Sequence, residues 1–177
     1  KLSLSFVFGI FTLNSCIYLP SNNKHAAIHA IIDKANADFY LDNRIWYQDV
    51  HASVEGRTIT LSGDAFYSIP VRGIGRKLKK AGYDFDLIDS VHYLPETFPG
   101  NQAYGIITAP YIMGRYTPVN YKQEGTEMLY GETVRLIREV DDYLQVQSAI
   151  GYLGYIPKNS LRRVNLQEWN RYHMGKQ

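Results

Sequence analysis

The chain is poor in several things at once. It has one cysteine in 177 residues, which excludes an internal disulfide and any multi-cysteine metal cluster. It lacks the several long uncharged runs that a membrane bundle would need. Its charge is nearly balanced, with 19 Lys and Arg against 17 Asp and Glu and a formal net charge of +2. A dedicated nucleic-acid binder carries a much stronger basic excess, so no nucleic-acid partner is expected. A hydrophobic content of 45% is too high for a disordered tail, and the length suits one domain or two small ones. What is abundant is tyrosine: 15 Tyr stand beside 7 Phe and 2 Trp, with 14 Gly and 7 Pro. That mixture points to short strands and turns, or to surfaces that stack on ligands.

Residues 2–13 (LSLSFVFGIFTL) are almost wholly apolar behind Lys1. The run is too short to span a bilayer but has the length and layout of a signal-peptide core. The following Leu13-Asn14-Ser15-Cys16 resembles a bacterial lipobox, in which the cysteine is lipidated and becomes the mature N-terminus. Leu13 and Ser15 fit that pattern, whereas Asn14 departs from it. A lipidated Cys16 implies export and a tether on the periplasmic side of the cell envelope. The competing reading of Cys16 is a buried free thiol in a first strand.

From 24 to 40, Ile28, Ile31, Ile32, Ala35 and Phe39 fall at helical spacing, with Asn22 or Asn23 available as a cap. Two alternating runs at 45–54 and 58–62 flank Glu55-Gly56, which reads as a tight hairpin turn. A second helix is expected at 69–81. Pro70 suits its first turn, Val71, Ile74, Leu78 and Ala81 form its apolar stripe, and Gly82 stops it. A last strand at 84–93 completes a small α+β unit with its helices on one face of a sheet. Within it, the run VEGRTITLSG from Val54 to Gly63, followed by a helix and a strand, resembles the central motif of BON domains. Those are α+β modules of bacterial envelope proteins, and the resemblance covers residues 24–95.

Pro95, Pro99 and Gly100 within six residues mark a boundary, because they continue neither a helix nor a central strand. Beyond it, five short β runs are expected at 104–108, 111–115, 133–140, 143–147 and 154–156, suggesting a small barrel. Three segments in order, LYGETV from Leu129, DYLQV from Asp142 and GYLGYIPKNSL from Gly151, resemble a bacterial SH3 domain. That family reads L-x-x-G-x-x-V, D-W-x-x-V and G-Y-x-G-W-V-P-x-x-x-L at these spacings. Arg115-Tyr116-Thr117-Pro118 matches its early R-x-x-P segment, and Tyr143 and Tyr155 stand where two tryptophans are usual. The expected fold is therefore α+β, a BON-like α/β sandwich followed by an SH3-like β-barrel. Its parts would be a leader at 1–20, the BON-like unit at 22–97, the barrel at 102–164 and a linker or short helix at 165–177. The segment 166–174 (LQEWNRYHM) is similar to one that follows the first SH3 domain in NlpC-type cell-wall peptidases, and a hydrolase beyond Gln177 is expected on that ground.

Such a peptidase needs a thiolate at a helix start and a histidine to take its proton. Cys16 lies in the apolar leader with neither, so no catalytic residue is assigned and the chain as given is read as non-enzymatic. His25, His29 and Asp33 share one helix face, but an ordinary polar face explains them better than a metal, and no metal or cofactor is assigned. Arg72-Gly73-Ile74-Gly75 lacks the third glycine and the strand–helix junction of a phosphate cradle.

Two binding surfaces remain. The resemblance to bacterial SH3 domains implies recognition of the peptidoglycan stem peptide. Arg115, Tyr116, Tyr121 and Tyr130 are its candidates, Arg115 offering a carboxylate fork, while Tyr143 and Tyr155 read equally well as core. The basic set Arg72, Arg76, Lys77, Lys79 and Lys80 puts about five charges on one helix, enough to attract an anionic membrane surface or wall carboxylates. A plain solvated face is the competing reading, and Asp84, Asp86 and Asp89 follow closely enough to neutralise part of the field. The function expected first is a targeting or substrate-gating module of a cell-wall hydrolase whose catalytic domain lies downstream or on a partner. The second is a stand-alone envelope adaptor that binds membrane or protein through the basic helix.

Overall fold

A computed structural model describes residues 21–39, 42, 44–46, 48–119 and 124–175. The leader with Cys16, and Tyr121, lie outside the described residues. Among these, three α-helices and two sheets make a mixed α+β chain.

The first sheet has the order β1-β2-β3, formed by Gln48–Glu55, Thr58–Ala65 and Asp86–Tyr93. β1 and β2 pair antiparallel from Gln48↔Ala65 to Glu55↔Thr58 around a turn in which Gly56 takes φ +59°. β2 and β3 are parallel, from Thr58↔Asp86 to Ala65↔Tyr93. A parallel pair needs a crossover, and α2 (Ile69–Lys80) supplies it. α1 (Ser21–Phe39) and α2 pack on one face of the sheet. Ile28, Ile32 and Ala35 of α1, and Val71, Ile74 and Leu78 of α2, are buried with Val50, Ile59, Leu61 and Val91. These positions belong to the apolar stripes read from the sequence; of the others, Ile31 is half-buried, the Phe39 side chain lies outside the described residues, and Ala81 departs from the stripe. Ala81 is exposed, because the helix ends at Lys80 and Ala81 caps it. Asn22 and Asn23 fall within α1 (Ser21–Phe39), and their side chains lie outside the described residues. Gly63 holds β1 against β2 by having no side chain: at φ +105°, a Cβ there would lie 2.0 Å from the Asp49 carbonyl oxygen.

The second sheet has the order β10-β4-β7-β8-β9-β5-β6. Its strands are β4 (Tyr104–Ile107), β5 (Tyr111–Arg115), β6 (Glu124–Leu129), β7 (Thr133–Val140), β8 (Tyr143–Gln147), β9 (Leu153–Pro157) and β10 (Leu161–Val164). The sequence reading anticipated five of these; β6 and β10, both at sheet edges, are additional. Ile107, Met128, Val134, Leu136, Leu144, Val146 and Ile156 form its core, with Phe98 from the preceding 95–100 segment packed among them. α3 (Leu166–Met174) follows β10 behind a capping box. The Asn165 side chain accepts from the Glu168 N–H at 3.0 Å, and Glu168 accepts from the Asn165 N–H at 3.1 Å. Its Trp169 stacks on Tyr104 of β4 at 5.3 Å, and the Tyr172 hydroxyl donates to the Gly131 carbonyl.

The two sheets meet in a small core of their own. Phe66 and Leu94 from the first unit pack with Ile137 and Leu153 from the second, and Trp46 closes the cluster. Backbone bonds cross the same junction, from Glu96 N–H to the Ile137 carbonyl at 2.8 Å and from Leu153 N–H to the Arg44 carbonyl at 2.6 Å. The Arg138 guanidinium of β7 completes it by donating to the Asp64 carboxylate of β2 and to the Tyr155 hydroxyl of β9.

Candidate binding surfaces

The residues singled out on the second sheet divide between the two ends of one hairpin. β5 crosses β9 at a pair of glycines: a Cβ on Gly154 would lie 2.8 Å from the Gly114 Cα. That close approach sets Arg115 opposite Tyr155. Arg115 is half-buried, and the next residue, Tyr116, is 41% exposed, with its ring over Gly125 of β6. Tyr152 and Arg44 lie close by. The Arg44 guanidinium sits 5.3 Å from the Tyr152 ring centroid and interacts electrostatically with both Tyr152 and Tyr116. Arg44 is itself held by Asp42 through a two-pronged bond of 2.7 and 3.0 Å. The pairing raises the Arg44 pKa and lowers that of Asp42, the side-chain hydrogen bond being the leading cause of both.

Tyr130 lies elsewhere. It is 72% exposed in the turn after β6, beside Leu129, whose register partner is Tyr111 at the start of β5. At a rise of about 3.3 Å per residue, the Tyr111 and Arg115 ends are roughly 13 Å apart along the strand. Arg115 and Tyr116 therefore form one surface, while Tyr130 belongs to a second one with Tyr111 and Leu129. Tyr155 is core, 5% exposed, and its hydroxyl accepts from Arg138 Nε at 3.1 Å. Tyr143 is half-buried.

On the first unit, the basic helix splits its charge between two grooves. Arg72, Arg76 and Lys79 line an opening of about 860 Å³ between α2 and β3, floored by Gly75, Phe85 and Leu87 and edged by Asp86. Lys77 and Lys80 turn the other way and, with Ile31 and Lys34 of α1, line a shallower one of about 280 Å³. The nearby carboxylates neutralise this face only in part. Asp84 pairs with Arg57 at 2.7 Å, and Asp89 accepts from the Tyr93 hydroxyl at 2.7 Å. Burial first, and then that bond to Asp89, push the Tyr93 pKa up to about 12. Among the described residues, Arg76 and Lys79 make no ion pair.

Sequence reasoning missed the charged network at the junction. Asp64 also accepts from His92 Nδ1 at 2.9 Å when that nitrogen carries the proton, and Glu139 accepts from Arg163 at 2.6 Å and pairs with Lys158. Lys158 and then Arg163 hold the Glu139 carboxyl below its ordinary value. Isolated charges on strands carry no spacing signal, so nothing in the sequence marked Asp64, Arg138 or Glu139. Among the described residues, no group of three or more His, Cys, Asp or Glu is placed to hold a metal ion. No helix among them is long and apolar enough to cross a membrane.

No protein-family model matches the chain, and no curated protein matches it.

Proposed function

We propose that the chain is a non-catalytic binding module of the bacterial cell envelope that holds the peptidoglycan stem peptide on its second sheet. On this reading the second sheet is an SH3-like barrel, the first unit is BON-like, and Cys16 carries a lipid that keeps the protein at the membrane. The module targets or gates an NlpC-type hydrolase domain that lies downstream or on a partner. The observation that carries the reading is the exposed Tyr116 ring, one residue from Arg115 and within electrostatic reach of Arg44, which itself lies 5.3 Å from the Tyr152 ring centroid. Aromatic faces and a guanidinium at one edge suit a short peptide bearing free carboxylates. Tyr130 is outside this surface. Titrating purified muropeptide by calorimetry tests the reading: Arg115→Ala or Tyr116→Ala abolishes binding, and Tyr130→Ala leaves it within twofold. Equal loss from Tyr130→Ala, or no loss from Tyr116→Ala, overturns it.

The groove along α2 favours a second reading, an envelope adaptor that meets an anionic membrane or a protein through Arg72, Arg76, Lys77 and Lys80. Its two sides are separable. Replacing Arg76 with glutamine reports on the β3 groove, and replacing Lys77 and Lys80 reports on the α1 groove.

A further inference from the structure

Among the described residues, β3 is the open edge of the first sheet, paired within it only with β2. Its residues 86–90 are all exposed, including Leu87 at 36% and Ile88 at 48%. The hydrogen-bond phase shows which of its amides are available. Asp86 N–H donates to the Arg57 carbonyl and Leu94 N–H to the Ala65 carbonyl, each at 2.8 Å. The even-numbered amides therefore point to β2, and the backbone groups of Leu87, Asp89 and Val91 point to the open side. The Asp89 carboxylate already takes the Val91 N–H, at 3.1 Å. What stays open is the stretch at Leu87 and Asp89, and that stretch borders the groove roofed by Arg72, Arg76 and Lys79.

We infer that this edge binds an extended acidic segment of a partner protein, which adds to β3 as a fourth strand and turns its carboxylates towards α2. The inference rests on the basic-helix reading and narrows it to a protein partner. Main-chain bonds to an exposed edge supply affinity, and alternate side chains entering a groove supply selectivity. The side chains on the helix side of an added strand would meet a floor of Leu87, Phe85 and Gly75 under three cations. A second copy of this chain fits poorly. A two-fold β3–β3 pairing sets the two α2 helices side by side on the same face, with Arg72, Arg76 and Lys79 of each facing the other's. Like charges so opposed weaken the pairing. An open edge with apolar side chains invites a partner unless it is blunted; on β3 the Asp89 bond to Val91 N–H and the exposed charges of Asp86 and Asp89 blunt it in part, and Leu87 and Ile88 stay exposed between them.

The probe is a fluorescein-labelled, end-capped eight-residue peptide alternating Glu with Val, titrated against the full chain by fluorescence anisotropy. Saturable binding is expected, weakened at least tenfold when Gln replaces every Glu and again by Arg76→Glu with Lys79→Glu. Two further versions of the peptide carry N-methyl groups on alternate amides, one for each edge. At least one of them, the one that blocks the edge facing β3, must bind at least tenfold more weakly. If both bind like the parent, the strand addition is wrong. Phosphatidylglycerol and phosphatidylcholine vesicles are run beside the peptide. Binding to the anionic vesicles without binding to the peptide overturns the strand and leaves the basic-helix reading standing. Binding to neither overturns both. A dimer by light scattering that Leu87→Pro dissolves would also overturn the proposal, by making the second copy the occupant.

Discussion

The junction between the two sheets can be tested through the ion pair at its rim. Arg138 is 14% exposed and Asp64 26%, so both have left most of their water behind. Removing one partner of a fully buried pair costs about 3–5 kcal/mol, since it strands the other charge. Here neither survivor is left without a companion. After Asp64→Ala the guanidinium still has the Tyr155 hydroxyl, and after Arg138→Met the carboxylate still has His92. We therefore expect about 2 kcal/mol for Asp64→Ala and about 1.5 kcal/mol for Arg138→Met. The double variant should lose less than the sum, with a coupling of about 1 kcal/mol. For a chain of this length 1 kcal/mol moves the midpoint by about 2–4 °C, so Asp64→Ala lowers Tm by about 4–8 °C. Thermal and urea denaturation, followed by circular dichroism and by tryptophan fluorescence, measure this. Trp46 lies in the shared core and Trp169 packs on Tyr104, so fluorescence reports on the junction and on the second sheet, whereas ellipticity reports on both sheets. Effects that add to within ~0.3 kcal/mol would refute the claim that the two side chains act on one another. Two transitions separated between the probes, in the unaltered protein, would refute the claim that Phe66, Leu94, Ile137 and Leu153 unite the sheets in one cooperative unit.

Other outcomes follow from single contacts. Gly63→Ala forces a Cβ against the Asp49 carbonyl at a positive φ, and should cost about 3 kcal/mol or more in urea denaturation; Gly56→Ala, with open space around it, should cost only about 1 kcal/mol. Leu78→Ala removes a fully buried side chain between α2 and the sheet and should cost about 2–5 kcal/mol by the same measurement. Glu139 titrates below its ordinary value of 4.5 in the folded protein, so its contribution is present above that pH and is lost as pH falls through the folded value. With its side chain 37% exposed, screening holds the contribution to about 0.5–1 kcal/mol, and Glu139→Gln should be less stable than the parent at pH 7 but equal to it near pH 2. Tyr93 works in the opposite sense: its pKa is raised to about 12, so its contribution is complete below 10 and disappears as pH rises through 12. The difference between the ultraviolet titrations of the parent and Tyr93→Phe at 295 nm should show one phenol ionising near 12, and a step near 10 would refute the bond to Asp89.

How far the sequence discloses this arrangement depends on how locally each feature is encoded. α2 is legible because Val71, Ile74 and Leu78 recur at helical spacing between Pro70 and Gly82. The β1–β2 hairpin is legible because alternation brackets Gly56. β6 is hidden for the opposite reason. Glu124–Leu129 holds Gly125 and two glutamates, a composition tolerated because this strand is at an edge and buries chiefly Thr126 and Met128. β10 is hidden because it is four residues long, carries Arg162 and Arg163, and starts directly after a 3₁₀ turn. The junction was out of reach altogether. Trp46, Phe66 and Leu94 lie at the ends of elements or in loops, where no period links them, and the prolines at 95 and 99 read as a boundary although Glu96 bonds to β7 across it.

The same limit applies to the surfaces. Arg115, Tyr116 and Tyr130 look like one set when only residue type is weighed. Register decides otherwise, because Tyr111↔Leu129 puts Tyr130 at the far end of the hairpin from Tyr116. The five cations of α2 likewise look like one face, yet α2 lies between α1 and β3, and a helix in that position directs Arg72, Arg76 and Lys79 to one neighbour and Lys77 and Lys80 to the other. Charge content was readable from the chain, whereas its division was not, since that depends on what packs on either side of the helix. A ligand that needs all five cations together would have to bridge across the helix. A ligand that needs only three can lie along β3. Parallel replacement of Arg76 with Lys79, and of Lys77 with Lys80, distinguishes these two cases: loss from the first pair alone places the ligand on the β3 side, and equal loss from both requires a surface broad enough to span the helix.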